Sequence, residues 1–155
     1  MVTIRKATAV DAQGILDSLA EAFAPYRESY TTGAFADTVL TQDSLVRRLT
    51  DMTILVAVDE DGSVMGTVSY QVQEHAEGHI RGMAVRARWQ GLGVAKALLD
   101  EAEAGLRQLR CTAISLETTR PLERAIRFYE KSGFQATAEI TDFFGMDLLH
   151  YRKAL

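Results

Sequence analysis

The sequence predicts a mixed α+β fold: a central, mostly antiparallel sheet flanked by about four helices. Three observations carry this. β-branched and apolar runs bounded by turn residues alternate with apolar stripes at helical spacing, in the order β-α-α-β-β-β-α-β-α-β-β. A buried strand, a glycine turn and a long helix follow one another without a break from His79 to Leu109. No repeat, linker or low-complexity tract interrupts the pattern, so residues 1–155 read as one domain.

Taken in order, Thr3–Ala7 reads as a first strand. Asp11 is a candidate N-cap for a helix whose stripe is Ile15, Leu19, Ala22 and Phe23, and Pro25 stops it. Pro25–Thr41 is aromatic, polar and aperiodic, which predicts a long functional loop whose Tyr26, Tyr30 and Phe35 either line an acceptor pocket or pin the loop to the core. Thr41 or Asp43 caps a second helix bearing Leu45, Val46 and Leu49. Thr53–Val58 and Val64–Val72 form a hairpin around Asp59–Gly62. A turn at Glu74–Gly78 leads to the central strand His79–Val85, and then to a helix with Ala95, Leu98, Ala102, Leu106 and Leu109 on one face. Cys111–Leu116, with Glu117 at its end, is a strand parallel to the central one, because a helix joins the two. Pro121 opens a helix carrying Leu122, Ala125, Ile126 and Tyr129, Gly133 closes it, and Phe134–Ile140 and Met146–Arg152 are the last strands.

With 155 residues, 47% hydrophobic and 25% charged, the chain fits a soluble globular domain with a buried core. No apolar run approaches the roughly 20 residues of a membrane helix, and the N-terminus has no signal-peptide pattern. Cys111 is the only cysteine, which predicts a reducing, cytoplasmic setting. His75, His79 and His150 have no zinc spacing with it, so no metal is expected. A net charge of −4 argues against a nucleic-acid partner.

The start of the long helix reads as a phosphate seat, because unpaired N–H groups, the helix dipole and small residues favour an anion there. A dinucleotide fingerprint needs a small residue where Gly91-x-Gly93-x-x-Lys96 has lysine, which disfavours an NAD(P)-binding domain, and no P-loop segment occurs. Gln90-x-x-Gly93-x-Ala95 instead resembles the acyl-CoA pyrophosphate turn of the GNAT superfamily of N-acetyltransferases. Ala125-Ile126-Arg127-Phe128-Tyr129-Glu130-Lys131-Ser132-Gly133-Phe134 resembles a second GNAT segment, A-x-x-x-Y-E-K-x-G-F. The element order is also the GNAT order, so the resemblance covers nearly the whole chain.

The resemblance implies acetyl-CoA as acyl donor, held by the backbone of Met83, Ala84 and Val85 and by Gln90, Gly91, Leu92, Gly93, Val94, Ala95 and Lys96. Gly82 supports this, since glycine inside a strand often marks a bulge or a close backbone approach. Arg86, Arg88 and Lys96 add positive charge near the turn. Transfer from a thioester to an amine needs a base, oxyanion stabilisation and an acid for the leaving thiolate. The resemblance puts Tyr129 in the acid's place; by periodicity alone it is a core aromatic. Counting six residues back from Val85 puts His79 where some family members carry a glutamate base, with Glu117, then Glu74 and Glu77, as further candidates. Leu122 stands where family members often have a cofactor-contacting Asn, which motivates a second reading, a non-catalytic acyl-CoA sensor. The resemblance allows a homodimer. Substrate choice is expected to lie in Pro25–Thr41, Glu74–Gly78 and Thr141–Met146, and small amines, amino acids, antibiotics and protein N-termini all stay open as the acceptor.

Overall fold

A computed structural model of the protein describes residues 2–155. Among them the strands are β1 (Thr3–Lys6), β2 (Thr53–Val58), β3 (Val64–Gln73), β4 (Glu77–Val85), β5 (Ala113–Thr119), β6 (Gln135–Phe143) and β7 (Met146–Ala154). They form one sheet in the order β1-β2-β3-β4-β5-β7-β6. Every pairing is antiparallel except β4 with β5, the pair joined through a helix. The helices are α1 (Ala12–Phe23), α2 (Thr32–Thr38), α3 (Gln42–Asp51), α4 (Val94–Gln108) and α5 (Glu123–Lys131). The expected class and strand order stand, with one extra short helix.

Alternation along β2 divides the core. Leu55 and Ala57 pack with Leu98, Leu106, Tyr129 and Phe134 from α4 and the α5 region. Ile54, Val56 and Val58 face the other way, against Ile15 and Leu19 of α1 and Leu45 of α3. Successive strand side chains point to opposite faces, so one β-branched run serves both layers.

The sheet opens at its centre. β4 and β5 pair only at Glu77↔Ala113, Gly78↔Ile114 and His79↔Ser115. Beyond that β5 stays with β7 as far as Thr119↔Leu148, while β4 stays with β3 as far as Val85↔Gly66. Between Ser69↔Arg81 and Thr67↔Ala84 the β4 side has one residue more than β3, a bulge that contains Gly82 at φ 67°. The glycine takes a backbone angle that a side chain disfavours, and the bulge bends β4 away from its parallel neighbour.

Four sequence expectations change. The segment Pro25–Thr41 is not an irregular loop: a 3-10 stretch, Ala24–Ser29, leads into α2, whose N-cap Thr31 accepts a hydrogen bond from the Ala34 N–H at 3.2 Å. Helices this short are too brief to show an apolar period, and Pro25 starts the 3-10 turn instead of only ending α1. Asp11 stands at the N-cap position of α1 but gives it no side-chain cap bond; its carboxylate accepts from the Thr8 N–H at 2.7 Å and from Arg5 Nη1 at 2.7 Å. On α3 the buried positions are Leu45 and Arg48, whereas Val46 and Leu49 are exposed. Glu117 lies within β5 and not at its end.

Gly66 sits opposite Val85, and a Cβ there would stand 2.7 Å from the Ala84 carbonyl oxygen. Gly66→Ala is expected to lower stability by about 1–3 kcal/mol through overpacking. Urea unfolding followed by circular dichroism measures this, and an unchanged midpoint would contradict so close an approach.

Candidate active site

The gap between β4 and β5 is the floor of a continuous cleft of about 890 Å³. One end is lined by Gln90, Gly91, Gly93, Val94, Ala95 and Lys96, the middle by Met83, Ala84, Val85 and Tyr129, and the other end by His79, Glu117, Tyr26 and Tyr30. Of the residues expected to hold the cofactor, Leu92 alone does not line it; its side chain is exposed.

At the first end, Gly91 (φ 77°) and Gly93 (φ 85°) take left-handed backbone angles. Gly93 occupies the N-cap of α4 and gives no side-chain cap, so the leading N–H groups of this 15-residue helix have no side-chain acceptor. Gln90 fixes the turn by donating from Nε2 to the Val85 carbonyl at 2.9 Å. The expected cations are engaged elsewhere. Arg86 pairs with Glu21 at 2.6 Å, Arg88 lies over the Trp89 ring at 4.3 Å, and Lys96 pairs with Asp100 at 3.0 Å. Arg124, at the start of α5, brings a guanidinium to the turn and donates to Gln90 Oε1 at 3.2 Å. It lies beyond the turn in sequence, so only the fold reveals it. Two left-handed glycines, uncapped N–H groups and an exposed arginine suit a pyrophosphate.

In the middle, Tyr129 is both things the sequence allowed. It belongs to the core, with its ring centroid 5.4 Å from Phe128 and 5.9 Å from Phe134, and it lines the cleft. Burial pushes its phenol well above the usual value of about 10, so the hydroxyl keeps its proton. Leu122, in the position of the family Asn, also lines the cleft and has no side-chain donor or acceptor.

At the far end, His79 Nε2 stands 2.8 Å from Glu117 Oε2. A carboxylate only accepts, so Nε2 carries the proton and Nδ1, buried without a partner, is the ring's unprotonated nitrogen at neutral charge. Burial pushes the Glu117 carboxyl up, but the His79 bond and the charges of His79, His150 and Arg81 together hold it below the ordinary range. The register explains the pairing: His79 and Ser115 are the last β4–β5 partners, and Glu117 follows two residues on, where the strands part. Tyr30 bonds Thr119 through its hydroxyl at 2.7 Å and packs edge-on against Phe23 and Phe35. Tyr26 and Tyr30 line the cleft, one of the two readings open for them in the sequence, whereas Phe35 packs edge-on against Tyr30 under the Arg27 guanidinium. Glu74 and Glu77 do not line the cleft; Glu77 pairs with Arg152 at 2.9 Å.

Three charged residues here were not singled out from the sequence: Asp37, Arg48 and Arg81. Arg81 pairs with Asp37 at 3.1 Å. Arg48 is buried, and its guanidinium occupies the space beside Gly82, where a Cβ would stand 2.7 Å from Nη1. Burial, then the charge of Arg81, pull its pKa down to about 10 against the opposing pull of Asp37, and it remains a cation at neutral pH. Among the described residues no group of three or more His, Cys, Asp or Glu could hold a metal ion. No helix is long and apolar enough to cross a membrane.

The lowered Glu117 value fixes a sign. Its ionised form contributes stability above the ordinary glutamate value of about 4.3, and that contribution is lost as pH falls through the folded-state value. The melting-temperature advantage of wild type over Glu117→Gln is expected to shrink between about pH 5 and pH 3. A difference that stays flat across that window would disprove the linkage.

Comparison with known proteins agrees with this geometry. A sequence model of the acetyltransferase (GNAT) family matches residues 15–134. The chain is 34% identical over 89 residues to a mycothiol acetyltransferase of Propionibacterium freudenreichii, covering 55% of this chain and 28% of that protein. It is 29% identical over 91 residues to the uncharacterized protein YdhI of Bacillus subtilis, covering 59% of this chain and 55% of that one. The chain thus spans about half or less of the length of these curated relatives. In fold it is similar to the PaiA N-acetyltransferase of Thermoplasma acidophilum, solved in complex with coenzyme A: TM-score 0.81 at 18% identity, with 100% of this chain and 99% of that one covered. With the family model matching most of its length, the chain belongs to the GNAT acetyltransferase family.

Proposed function

We propose that the protein is an acetyl-CoA-dependent N-acetyltransferase that moves the acetyl group directly to an amine held at the His79–Glu117 end of the cleft. The observation that carries this is the parting of β4 and β5, which sets a phosphate seat, a buried phenol and a paired carboxylate along one groove. When bound, acetyl-CoA supplies an activated thioester whose acetyl group is transferred to nitrogen.

Each step falls to residues of this chain. The N–H groups that open α4, together with Arg124, hold the pyrophosphate. The edge of β4 from Met83 to Val85 faces the gap with no β5 partner, so, apart from the Val85 carbonyl that Gln90 occupies, its backbone is free to pair with the amides of the pantetheine arm and to direct an N–H at the developing oxyanion. The His79–Glu117 pair draws in the acceptor ammonium and takes its proton. Glu117 is the more exposed of the two, and His79 holds it in place through Nε2–H. Tyr129, kept protonated by burial, donates to the departing sulfur. Cys111 is buried outside the cleft lining, and burial, then the charge of Glu77, raise its thiol pKa, so direct transfer needs no acyl-cysteine stage.

Leu122 favours a second reading, a sensor that binds acyl-CoA without turnover, because a polar contact common in the family is replaced by an apolar one. Acetyl-CoA titration and release of free CoA thiol across a panel of amines separate the two. Stabilisation by acetyl-CoA with turnover on at least one amine is expected. Binding without turnover would favour the sensor, and absence of binding would overturn both.

Tyr129→Phe and Glu117→Gln are each expected to lower kcat by about 100-fold or more, as for loss of a general acid or base, while acetyl-CoA affinity is retained. Steady-state kinetics beside calorimetric titration of acetyl-CoA test this. A Tyr129→Phe variant with full kcat would remove the phenol from the reaction.

A further inference from the structure

The acceptor end of the cleft contains a cation whose side chain has no hydrogen-bond or ion-pair partner among the described residues. Arg48 is 8% exposed, on the inward face of α3. None of the described residues hydrogen-bonds or ion-pairs with it. Its neighbours in charge are Arg81 and Asp37, and those two are already paired with each other. The three together therefore carry one uncompensated positive charge (two arginines less one carboxylate). The guanidinium faces both cavities, so an anion that arrives from outside can reach it and supply the partner that the fold does not. Arg48, Arg81 and Asp37 also line an adjoining polar recess of about 490 Å³, where Arg47 and Asp51 offset one another and leave the surplus at one positive charge; the recess leaves room beside the cleft for a substituent.

The position relative to the chemistry narrows the ligand. His79 and Arg81 are two residues apart on β4 and share a face, so their Cα atoms are about 7 Å apart. The charge of Arg81 reaches Glu117, and that of Arg48 reaches Arg81. An amine on the His79–Glu117 pair and an anion on Arg48 are thus separated by the length of a small molecule. The surplus is a single charge, which a carboxylate balances and a dianionic phosphate exceeds. A planar guanidinium also matches a carboxylate through two parallel hydrogen bonds.

We propose that Arg48, framed by the Arg81–Asp37 pair, is the seat for a carboxylate of the acceptor, and that the substrates are amines with a carboxylate a few bonds from the nitrogen, as in an amino acid. This rests on the N-acetyltransferase reading above, and it adds the acceptor class to it. Gly82 belongs to the device, since its missing side chain leaves the guanidinium its place beside the β4 bulge.

The test pairs each of the common α-amino acids with its carboxamide as acceptor, with O-phosphoethanolamine as the phosphate arm, and follows CoA thiol release. The acid is expected to exceed its amide in kcat/KM by about 100-fold, since the amide leaves the buried guanidinium without a counter-charge. In Arg48→Gln the acid-to-amide ratio is expected to fall toward one, and Arg48→Lys, which keeps the charge without the fork, to recover part of it. Amides or phosphoethanolamine used as well as acids, or a preference that survives Arg48→Gln, would overturn the carboxylate seat and leave the acetyltransferase intact. Titrating N-acetylglycine and N-acetylglycinamide into the wild-type protein, with the Arg48 Nε–H resonance as readout, needs no turnover. A shift with the acid alone supports the seat even if no amine is acetylated, and no shift with the acid overturns it even if one is.

Discussion

The rest of the site depends on one constraint: β4 and β5 cannot remain paired. Each is held on its outer side, β4 by β3 along nearly its whole length and β5 by β7 from Ala113 to Thr119. After three shared pairs the two outer ladders pull apart. The bulge at Gly82 fixes where this happens, since the extra residue bends β4 while β5 runs straight on with β7. What the sheet loses in inter-strand hydrogen bonds becomes a groove with main-chain donors and acceptors along one wall. Backbone groups left without a strand partner are acceptable there only because water or a ligand reaches them.

The same divergence places the side chains. His79 is in the last β4–β5 pair and Glu117 is two residues past its partner, so the 2.8 Å bond between them spans the mouth of the gap. α4 begins just beyond the end of β4, so the turn Gln90–Gly93 closes one end of the groove. α5 lays Tyr129 against the gap and brings Arg124 over the turn. Local sequence makes each element, but the register of two strands brings the pieces together.

This explains what the sequence discloses and what it hides. The glycine turn and the Tyr129 helix are local patterns, with small residues at a helix start and an apolar stripe, and both are legible from spacing alone. The parallel pairing of β4 and β5 is legible too, because the helix between them requires it. The His79–Glu117 bond is not: both residues stand among the candidate bases, yet 38 positions separate them and only the pairing His79↔Ser115 makes them neighbours. Arg86, Arg88 and Lys96 mislead for the opposite reason. They are close to the turn in sequence, but each finds a nearer partner in Glu21, Trp89 or Asp100. The fold within Pro25–Thr41 is hidden because a seven-residue helix with a Thr cap is too short to establish a period.

α3 shows how an apolar stripe can hide an inward-facing arginine. Leu45, Val46 and Leu49 suggest an ordinary apolar stripe, yet the helix exposes Val46 and Leu49 and turns Arg48 inward with Leu45. Rotating the helix by about one residue, near 100°, would bury more hydrocarbon and return the guanidinium to water. The fold does the reverse. No salt bridge among the described residues accounts for that orientation, since Asp37, whose charge acts on Arg48, is paired with Arg81. The orientation leaves a fixed charge beside the bulge that opens the sheet. The strand geometry that makes the groove and the arginine that faces it meet at Gly82, where the absent side chain serves both the backbone turn and the guanidinium.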